Sequence, residues 1–123
     1  MKKIMVVDDD QDQISTLKYV LESLESKYEV IGVNDGPQCL KLLRDKNIPD
    51  LILLDIMMPE MNGWEVYNKI KENSLWKNIP VIFLTARTDR IAKNAGGFLG
   101  DDYIEKPFNK DDLIKRIDNI FKS

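Results

Sequence analysis

Short, largely apolar runs recur along the chain, and four of them are followed by a strongly polar residue. These runs are residues 4–7 before Asp8, 51–54 before Asp55, 81–84 before Thr85, and 103–105 before Lys106. Runs that are apolar at nearly every position, without alternation, are typical of strands buried on both faces of a parallel sheet. The pattern therefore predicts four such strands, and residues 28–33 form a fifth, shorter candidate.

The segments between these runs carry apolar residues at the three-to-four-residue spacing of amphipathic helices. The predicted inward positions are Ile14, Leu17, Leu21 and Leu24; then Leu40 and Leu43; then Trp64, Tyr67 and Ile70; and finally Leu113, Ile114, Ile117, Ile120 and Phe121. A fourth helix is predicted over residues 88–99, and Gly96-Gly97 weakens its end. Strands and helices thus alternate from one end of the chain to the other.

Residue types that favour the ends of helices and strands lie where these elements should begin. They are Asp10 with Gln13 as a capping box, Pro37 as the first residue of the second helix, Asn109 with Asp112 at the last helix, Phe108 with Leu113 as a hydrophobic staple, and Pro80 opening the fourth strand. These signals agree with the boundaries that the apolar pattern suggests.

Five strand-plus-helix units predict an α/β fold, a doubly wound five-stranded parallel sheet in a flavodoxin-like three-layer sandwich. Right-handed crossovers favour the strand order 2-1-3-4-5 for this count, and we interpret residues 1–123 as a single domain. The first and third strands are then neighbours, and the winding reverses between them. Ligands of such sheets bind beyond the carboxyl ends of the strands at this point. The predicted order brings Asp8, Asp9 and Asp55 together there.

The composition narrows the class of protein. Of 123 residues, 43% are hydrophobic and 32% charged, with a net charge of −3, which is typical of a globular domain. Scattered Lys and Arg residues give no electrostatic footprint for direct nucleic-acid binding, and no run has membrane-spanning length. Cys39 is the only cysteine, so the chain cannot form an internal disulfide, which favours the reducing environment of the cytoplasm. We interpret Cys39 as a small buried residue of a helix. Because the chain contains no histidine, any mechanism that needs one must take it from another molecule.

The polar strand ends match the requirements of a metal-assisted phosphoryl site. Carboxylates a few ångströms apart repel by about 4 kcal/mol per pair at an effective dielectric of about 20, so they need a cation, a raised pKa or a lysine. Mg²⁺ typically binds one or two carboxylates and keeps waters that a phosphate can replace. Asp55 could act as a nucleophile toward phosphorus, while Thr85 and Lys106 could contact phosphoryl oxygens. Asp10 we assign mainly to helix capping.

Four segments carry these strand ends and the residues that follow them. They are Val6-Val7-Asp8-Asp9-Asp10, Asp55-Ile56-Met57-Met58-Pro59-Glu60-Met61-Asn62-Gly63, Thr85-Ala86, and Asp101-Asp102-Tyr103-Ile104-Glu105-Lys106-Pro107-Phe108. Together they resemble the signature blocks of the receiver domains of two-component response regulators. The resemblance covers essentially the whole chain, with the blocks in the family's order and spacing.

The resemblance implies a phosphoacceptor and a metal site. Asp55 would accept a phosphoryl group from a phosphohistidine on a partner, either a sensor histidine kinase or a histidine phosphotransfer protein. Asp8 and Asp9 would hold Mg²⁺ together with Asp55 and the backbone carbonyl of Met57. The domain would then be a signalling module and not an enzyme, apart from self-catalysed phosphotransfer and autodephosphorylation.

The resemblance also implies a switch. Thr85 and Lys106 would contact the phosphoryl oxygens, and the peptide bond between Lys106 and Pro107 is expected to be cis. Tyr103 matches the aromatic residue that turns inward when Thr85 moves toward the phosphate. The surface altered in this way would bind an unknown downstream protein, and we expect a monomer or a phosphorylation-dependent dimer with no nucleic-acid or membrane contact.

Two features depart from the usual family pattern. Gly100 runs directly into Asp101, so the segment before the switch aromatic is one residue shorter than in many members. Met57 and Arg87 lie two positions past Asp55 and Thr85, and neither is an obvious water-orienting group. We therefore hypothesise a long-lived phosphoryl state.

Two other classes of function share the predicted fold. One is a flavodoxin-like FMN protein, which is disfavoured because no phosphate-binding loop rich in Ser, Thr or Gly follows residues 4–7. The other is a Mg²⁺-dependent phosphatase with an aspartate nucleophile, which would usually carry a second acid at the position of Met57. Within the receiver class, a stand-alone regulator and a receiver from a hybrid kinase or larger regulator both remain open.

Overall fold

The computed structural model describes residues 1–23, 27–85 and 102–122. Within these ranges it contains five strands and four helices, which alternate along most of the chain. They are β1 (Lys2–Val7), α1 (Gln11–Glu22), β2 (Tyr28–Val33), α2 (Gly36–Arg44), β3 (Leu51–Asp55), α3 (Gly63–Glu72), β4 (Val81–Thr85), β5 (Asp102–Glu105) and α4 (Lys110–Lys122). The helix predicted over residues 88–99 lies outside the described residues.

All five strands join one parallel sheet in the order β2-β1-β3-β4-β5, which confirms the predicted topology. β1 pairs with both β2 and β3, with Val7 opposite Val33 on one side and Leu54 on the other. The first and third strands are therefore neighbours, and their carboxyl ends lie side by side.

Two apolar layers cover the two faces of the sheet. Alternate residues of β3 point to opposite layers, with Ile52 and Leu54 in one and Leu51 and Leu53 in the other. The first layer packs against α2 and α3, and the second packs against α1 and α4. Every residue of β3 is buried, which explains why its first four residues are apolar without alternation. The three-layer sandwich is thus confirmed.

The caps of the first two helices differ in detail from the prediction. Asp10 is the N-cap of α1, but its carboxylate accepts from the N–H of Asp12 and not from Gln13, so the predicted capping-box geometry is wrong. α2 begins at Gly36, one residue before Pro37, because the Asp35 carboxylate accepts from the backbone at residue 38 and caps the helix there.

The starts of α3 and α4 are fixed by asparagines. Asn62 and Glu65 form a full capping box, which the sequence analysis missed although the Asn-x-x-Glu spacing is its signature. Asn109 accepts from the N–H of Asp112, which confirms the predicted cap of the last helix. Phe108 packs against the apolar layer that contains Leu113, as a hydrophobic staple requires.

Several strand boundaries move by one or two residues. β1 begins at Lys2 because the sheet extends past the apolar run, where the first two strand residues are exposed. β4 begins at Val81, since Pro80 has no N–H to donate to a ladder. β5 includes Asp102. On α4, Leu113 and Ile117 are buried, but Ile114 is half-buried and stands outside the apolar layer predicted for it.

Candidate functional site

The carboxyl ends of β1 and β3 place two carboxylates in the protein interior. Asp8 directly follows β1, and its N–H donates to the carbonyl of Val33 at 3.0 Å. Asp55 is the last residue of β3. Their exposed fractions are 0% and 4%, and these are the buried charged residues within the part of the chain that the structure describes. Two acids buried side by side need compensating partners.

Lys106 provides that compensation. Its ammonium lies 3.0 Å from Asp8 Oδ2 and 3.1 Å from Asp55 Oδ1, so one cation bridges both acids. The second oxygen of Asp8 accepts from the N–H of Asp10 at 2.9 Å. Lys106 follows β5, two strands from β3, and its peptide bond to Pro107 is cis, as the resemblance implied. The structure thus brings together Asp8, Asp55 and Lys106 as predicted.

Asp9 completes an acidic group at this edge. Oxygens of Asp8, Asp9 and Asp55 all lie within 4.8 Å of one another, and Asp9 is exposed while the other two are buried. Carboxylate oxygens are the hard donors that Mg²⁺ prefers, and one or two of them with open positions toward water are typical of its sites. The donor chemistry and the opening toward solvent therefore fit a divalent cation.

The electrostatics of the site favour a second cation. Burial raises the pKa of Asp55 to about 6, the charge of Asp8 adds to the rise, and Lys106 opposes it. Burial also disfavours the ammonium form of Lys106, but its hydrogen bond to Asp8 and the charges of both acids outweigh that effect and raise the pKa of Lys106. One lysine only partly offsets the negative charge of this edge.

The loop after β3 is packed directly against the backbone of Asp55. Gly63 donates its N–H to the carbonyl of Ile56 at 2.8 Å. A Cβ at this glycine would lie 2.4 Å from the Asp55 carbonyl oxygen and 2.8 Å from the Ile56 Cα, so no larger residue fits without a backbone shift. Gly63 belongs to one of the four blocks that resemble the receiver signature, but no sequence pattern predicts this close approach.

Of the other predicted site residues, those that the structure describes lie at this edge or on the strands that lead to it. Met57 lies in the loop after β3 with its side chain 63% exposed. The backbone of Thr85 ends β4 in register with Glu105, one residue before Lys106, and its side chain lies outside the described part of the chain. Tyr103 is buried and stacked on Phe83 with ring centroids 5.6 Å apart. Arg87 lies outside the described residues.

Comparison with known proteins agrees with this fold and site. Residues 4–118 match the sequence model of the response regulator receiver domain. The chain therefore belongs to the response regulator receiver family. Receiver domains are phosphoacceptor signalling modules that receive phosphoryl groups from histidine kinases and generally use Mg²⁺ at an acidic aspartate pocket. This membership favours the receiver interpretation over the FMN-protein and phosphatase alternatives.

Individual relatives match nearly the whole of this chain. The transcriptional regulatory protein CpxR of Escherichia coli is 42% identical over 123 residues, which are 99% of this chain and 50% of CpxR. The alkaline phosphatase synthesis transcriptional regulatory protein PhoP of Bacillus subtilis is 38% identical over 98% of this chain and 49% of its own length. The chain thus spans about half the length of these curated relatives.

A solved structure shows the same architecture. The receiver domain of the Francisella response regulator 1452 superposes with a TM-score of 0.84 at 32% identity, covering 99% of this chain and 98% of that one.

Among the described residues, none of the helices is both long and apolar enough to cross a bilayer.

Proposed function

We propose that Asp55 is the phosphoacceptor of this receiver domain. The observation that carries the proposal is the buried Asp8–Asp55 pair bridged by Lys106 at the switch point of the sheet. A carboxylate in this place is poorly solvated and lies next to a fixed ammonium group. It is therefore positioned to attack phosphorus while its neighbour neutralises the charge that is transferred.

The transfer is a displacement at phosphorus. A carboxylate oxygen of Asp55 forms the new O–P bond as the N–P bond of the donor phosphohistidine breaks. The electron pair of that bond returns to the imidazole of the donor. The products are an acyl phosphate on Asp55 and a free histidine on the partner, which accords with the absence of histidine from this chain.

Residues around Asp55 would divide the remaining tasks. Asp8 and Asp9, with Asp55 and the backbone carbonyl of Met57, would hold Mg²⁺. When bound, Mg²⁺ neutralises carboxylate and phosphoryl charge as a hard Lewis acid. Lys106 stays within reach of the oxygens near Asp55, where its ammonium attracts the added phosphoryl charge.

The proposed switch links this added charge to a distant surface. Phosphorylation adds about −1.5 to −2 charges, which Lys106 and the hydroxyl of Thr85 would contact. Tyr103 lies on β5, the strand next to β4, and packs on Phe83 of that strand. A displacement of Thr85 would therefore change the packing of Tyr103 and the surface beside β5 and α4.

The partners follow from the same chemistry. The donor would be a sensor histidine kinase or a histidine phosphotransfer protein, and the recipient of the signal would be a downstream protein. We propose a cytoplasmic location because such donors present their phosphohistidine there, and a monomer or phosphorylation-dependent dimer as the working states. The relatives CpxR and PhoP are transcriptional regulatory proteins.

Labelling with acetyl phosphate and Mg²⁺ tests the assignment. The unchanged chain should gain one phosphoryl group in an intact mass spectrum, and Asp55→Asn should gain none. Asp35→Asn is the matched control, because Asp35 caps α2 and asparagine is also a good N-cap. Full labelling of Asp55→Asn would show that another side chain is the acceptor and would contradict the proposal.

A further inference from the structure

An open apolar groove lies at the amino-terminal edge of the sheet, opposite the acidic edge. It has a volume of about 720 Å³ and is bounded by the end of α2, the segment before β3 and the segment before β4. Its lining residues are Leu43, Arg44, Lys46, Ile48, Leu75 and Trp76. Leu43 and Trp76 are buried and form the floor, whereas Ile48 and Leu75 are 42% and 84% exposed and form the rim.

The wall after α3 is held in a fixed shape. The side chain of Asn73 accepts from the N–H of Leu75 at 2.8 Å, and its carbonyl accepts from Trp76 at 3.1 Å. Lys71 closes this turn, because its ammonium donates to the carbonyls of Lys77 and Ile79 at 2.9 and 3.0 Å. Leu75 is therefore presented to solvent by a preorganised turn, which lowers the entropy cost of binding there.

The opposite wall holds a lysine in the left-handed region of the backbone. Lys46 follows α2 with φ of 69°, and its N–H donates to the carbonyl of Leu43 at 3.0 Å. Glycine is the residue that usually takes this position after a helix, since a side chain costs about 1 kcal/mol there. Lysine therefore stands at the rim of the groove at a conformational cost.

The two cations of the groove have no carboxylate partner among the described residues. The nearest acid in sequence, Asp45, is paired with Lys41 at 2.8 Å and not with Arg44 or Lys46. A chain with net charge −3 thus places Arg44 and Lys46, which have no acidic partner in the described part of the chain, beside an exposed apolar rim. Apolar surface flanked by arginine is a common composition of protein-binding patches.

We propose that this groove binds a segment of a partner protein in which large apolar side chains are flanked by carboxylates. The apolar side chains would cover Leu75 and Ile48 and reach the floor at Trp76, and the carboxylates would pair with Arg44 and Lys46. The exposed rim favours a protein segment over a small anion, because a ligand on the floor alone would leave Leu75 in water.

The groove is separated from the phosphoacceptor by the length of the strands. Its residues precede β3 and β4, whereas Asp8, Asp55 and Lys106 follow or end their strands. Binding here therefore leaves the acidic edge open, and Asp55→Asn should bind the same segment with unchanged affinity. This variant distinguishes the groove from the proposed phosphorylation site, so that either proposal can fail alone.

Fluorescence titration of the full chain tests the proposal. The probe is a synthetic peptide with a Leu-Phe-Leu centre flanked by glutamates, and its counterpart carries lysines in place of the glutamates. Trp64→Phe leaves Trp76 as the only tryptophan to report binding. We expect the acidic peptide to bind about tenfold more tightly than the basic one, the factor that about 1.4 kcal/mol of charge pairing gives.

Matched variants identify the surface. Leu75→Ser and Arg44→Glu should each lower the affinity for the acidic peptide about tenfold, a loss of about 1.4 kcal/mol in binding free energy. Tyr19→Ser removes an equally exposed apolar side chain from α1, and Lys115→Glu reverses an exposed charge on α4, so both should leave binding unchanged. Circular dichroism melts establish that each variant is folded.

Four results would overturn the proposal. Equal affinity for the acidic and basic peptides, or no loss in Arg44→Glu, would remove the charge argument. Saturable binding of dodecanoate that is lost in Leu75→Ser, when the acidic peptide does not bind, would make the groove a site for a small amphiphile. Self-association that is lost in Leu75→Ser, measured by sedimentation, would show that a second copy of the chain covers the groove.

Discussion

The two edges of the sheet treat charged and apolar side chains in opposite ways. At the carboxyl edge the fold buries two acids and holds one lysine between them, so the charges are desolvated and paired. At the amino edge it leaves leucine and isoleucine in water beside cations that have no carboxylate among the described residues. Buried charge without a partner is costly, and exposed apolar surface is not. The first edge is therefore sensitive to single substitutions, and the second can change with little loss of stability.

The largest predicted effect is the loss of Lys106. Lys106→Met leaves Asp8 and Asp55 buried together without their shared cation, and we expect the free energy of unfolding to fall by about 3 kcal/mol without divalent metal. Urea denaturation followed by circular dichroism measures this loss. Arg44→Met at the opposite edge is the matched control, because it removes an exposed cation and should change stability by less than about 0.5 kcal/mol.

The double variant Lys106→Met with Asp55→Asn sharpens the interpretation. Removing one acid relieves the repulsion that the lost lysine exposes, so the double variant should be more stable than Lys106→Met alone. If the two single effects simply add, the pairing across this edge is not what stabilises it.

The next largest predicted loss of stability comes from a substitution at Gly63. Gly63→Ala forces a Cβ against the backbone of Asp55, and we expect a loss of about 2 kcal/mol together with slower labelling by acetyl phosphate. Gly32→Ala is the control, because the added Cβ would lie 2.6 Å from Cγ2 of Ile14, a side-chain atom and not the backbone of the site. Equal losses in the two variants would show that the contact with Asp55 has no special weight.

The fold was predictable because the strands are buried on both faces. Apolar runs of this kind leave few alternatives to a parallel sheet, and right-handed crossovers then limit the strand order. The convergence of Asp8 with Asp55 followed from that order. Helix starts were less predictable, because Asp10 could cap through either of two N–H groups and the start of α3 is set by a capping box and not by the apolar pattern.

The detailed contacts of the site could not be predicted without the three-dimensional structure. No spacing in the sequence shows that Lys106 contacts both acids, because that residue is 98 positions from Asp8 and 51 from Asp55. The close approach of Gly63 to the Asp55 carbonyl depends on the path of the loop between β3 and α3, which a sequence pattern does not show. The groove was missed for a similar reason, since Ile48 and Leu75 lie in different loops and neither belongs to a recognised block.

Magnesium should stabilise the acidic edge by a smaller amount. Binding to the folded state alone raises the free energy of unfolding by about 1.4 kcal/mol when free Mg²⁺ is ten times its dissociation constant. A thermal melt should therefore shift upward by a few degrees in millimolar MgCl₂. NaCl of equal ionic strength controls for screening. Asp8→Asn and Asp55→Asn should reduce the shift, and an undiminished shift in both would place the ion elsewhere.

The smallest effect concerns a polar pair at the amino edge. Tyr28 opens β2, is 5% exposed, and donates its hydroxyl to Asp118 Oδ1 at 2.8 Å. Burial raises the pKa of Tyr28 to about 12, and the hydrogen bond to Asp118 and its charge add to the rise. Because the ordinary pKa is about 10, the stability that this phenol contributes is fully present below about pH 10 and is lost as the pH rises toward 12.

Tyr28→Phe should therefore cost about 1 kcal/mol at pH 7, and the difference from the unchanged chain should shrink between about pH 10 and 12. Subtracting the two urea denaturation curves at each pH removes the lysine titrations that both proteins share. The expected loss is well below that of Lys106→Met, because water can replace the tyrosine at the half-exposed Asp118 but not the lysine between two buried acids. A stability difference between the two proteins that stays constant to pH 12 would mean that the tyrosine keeps its ordinary pKa. A loss of stability in Tyr28→Phe equal to that in Lys106→Met would remove the contrast between the two edges.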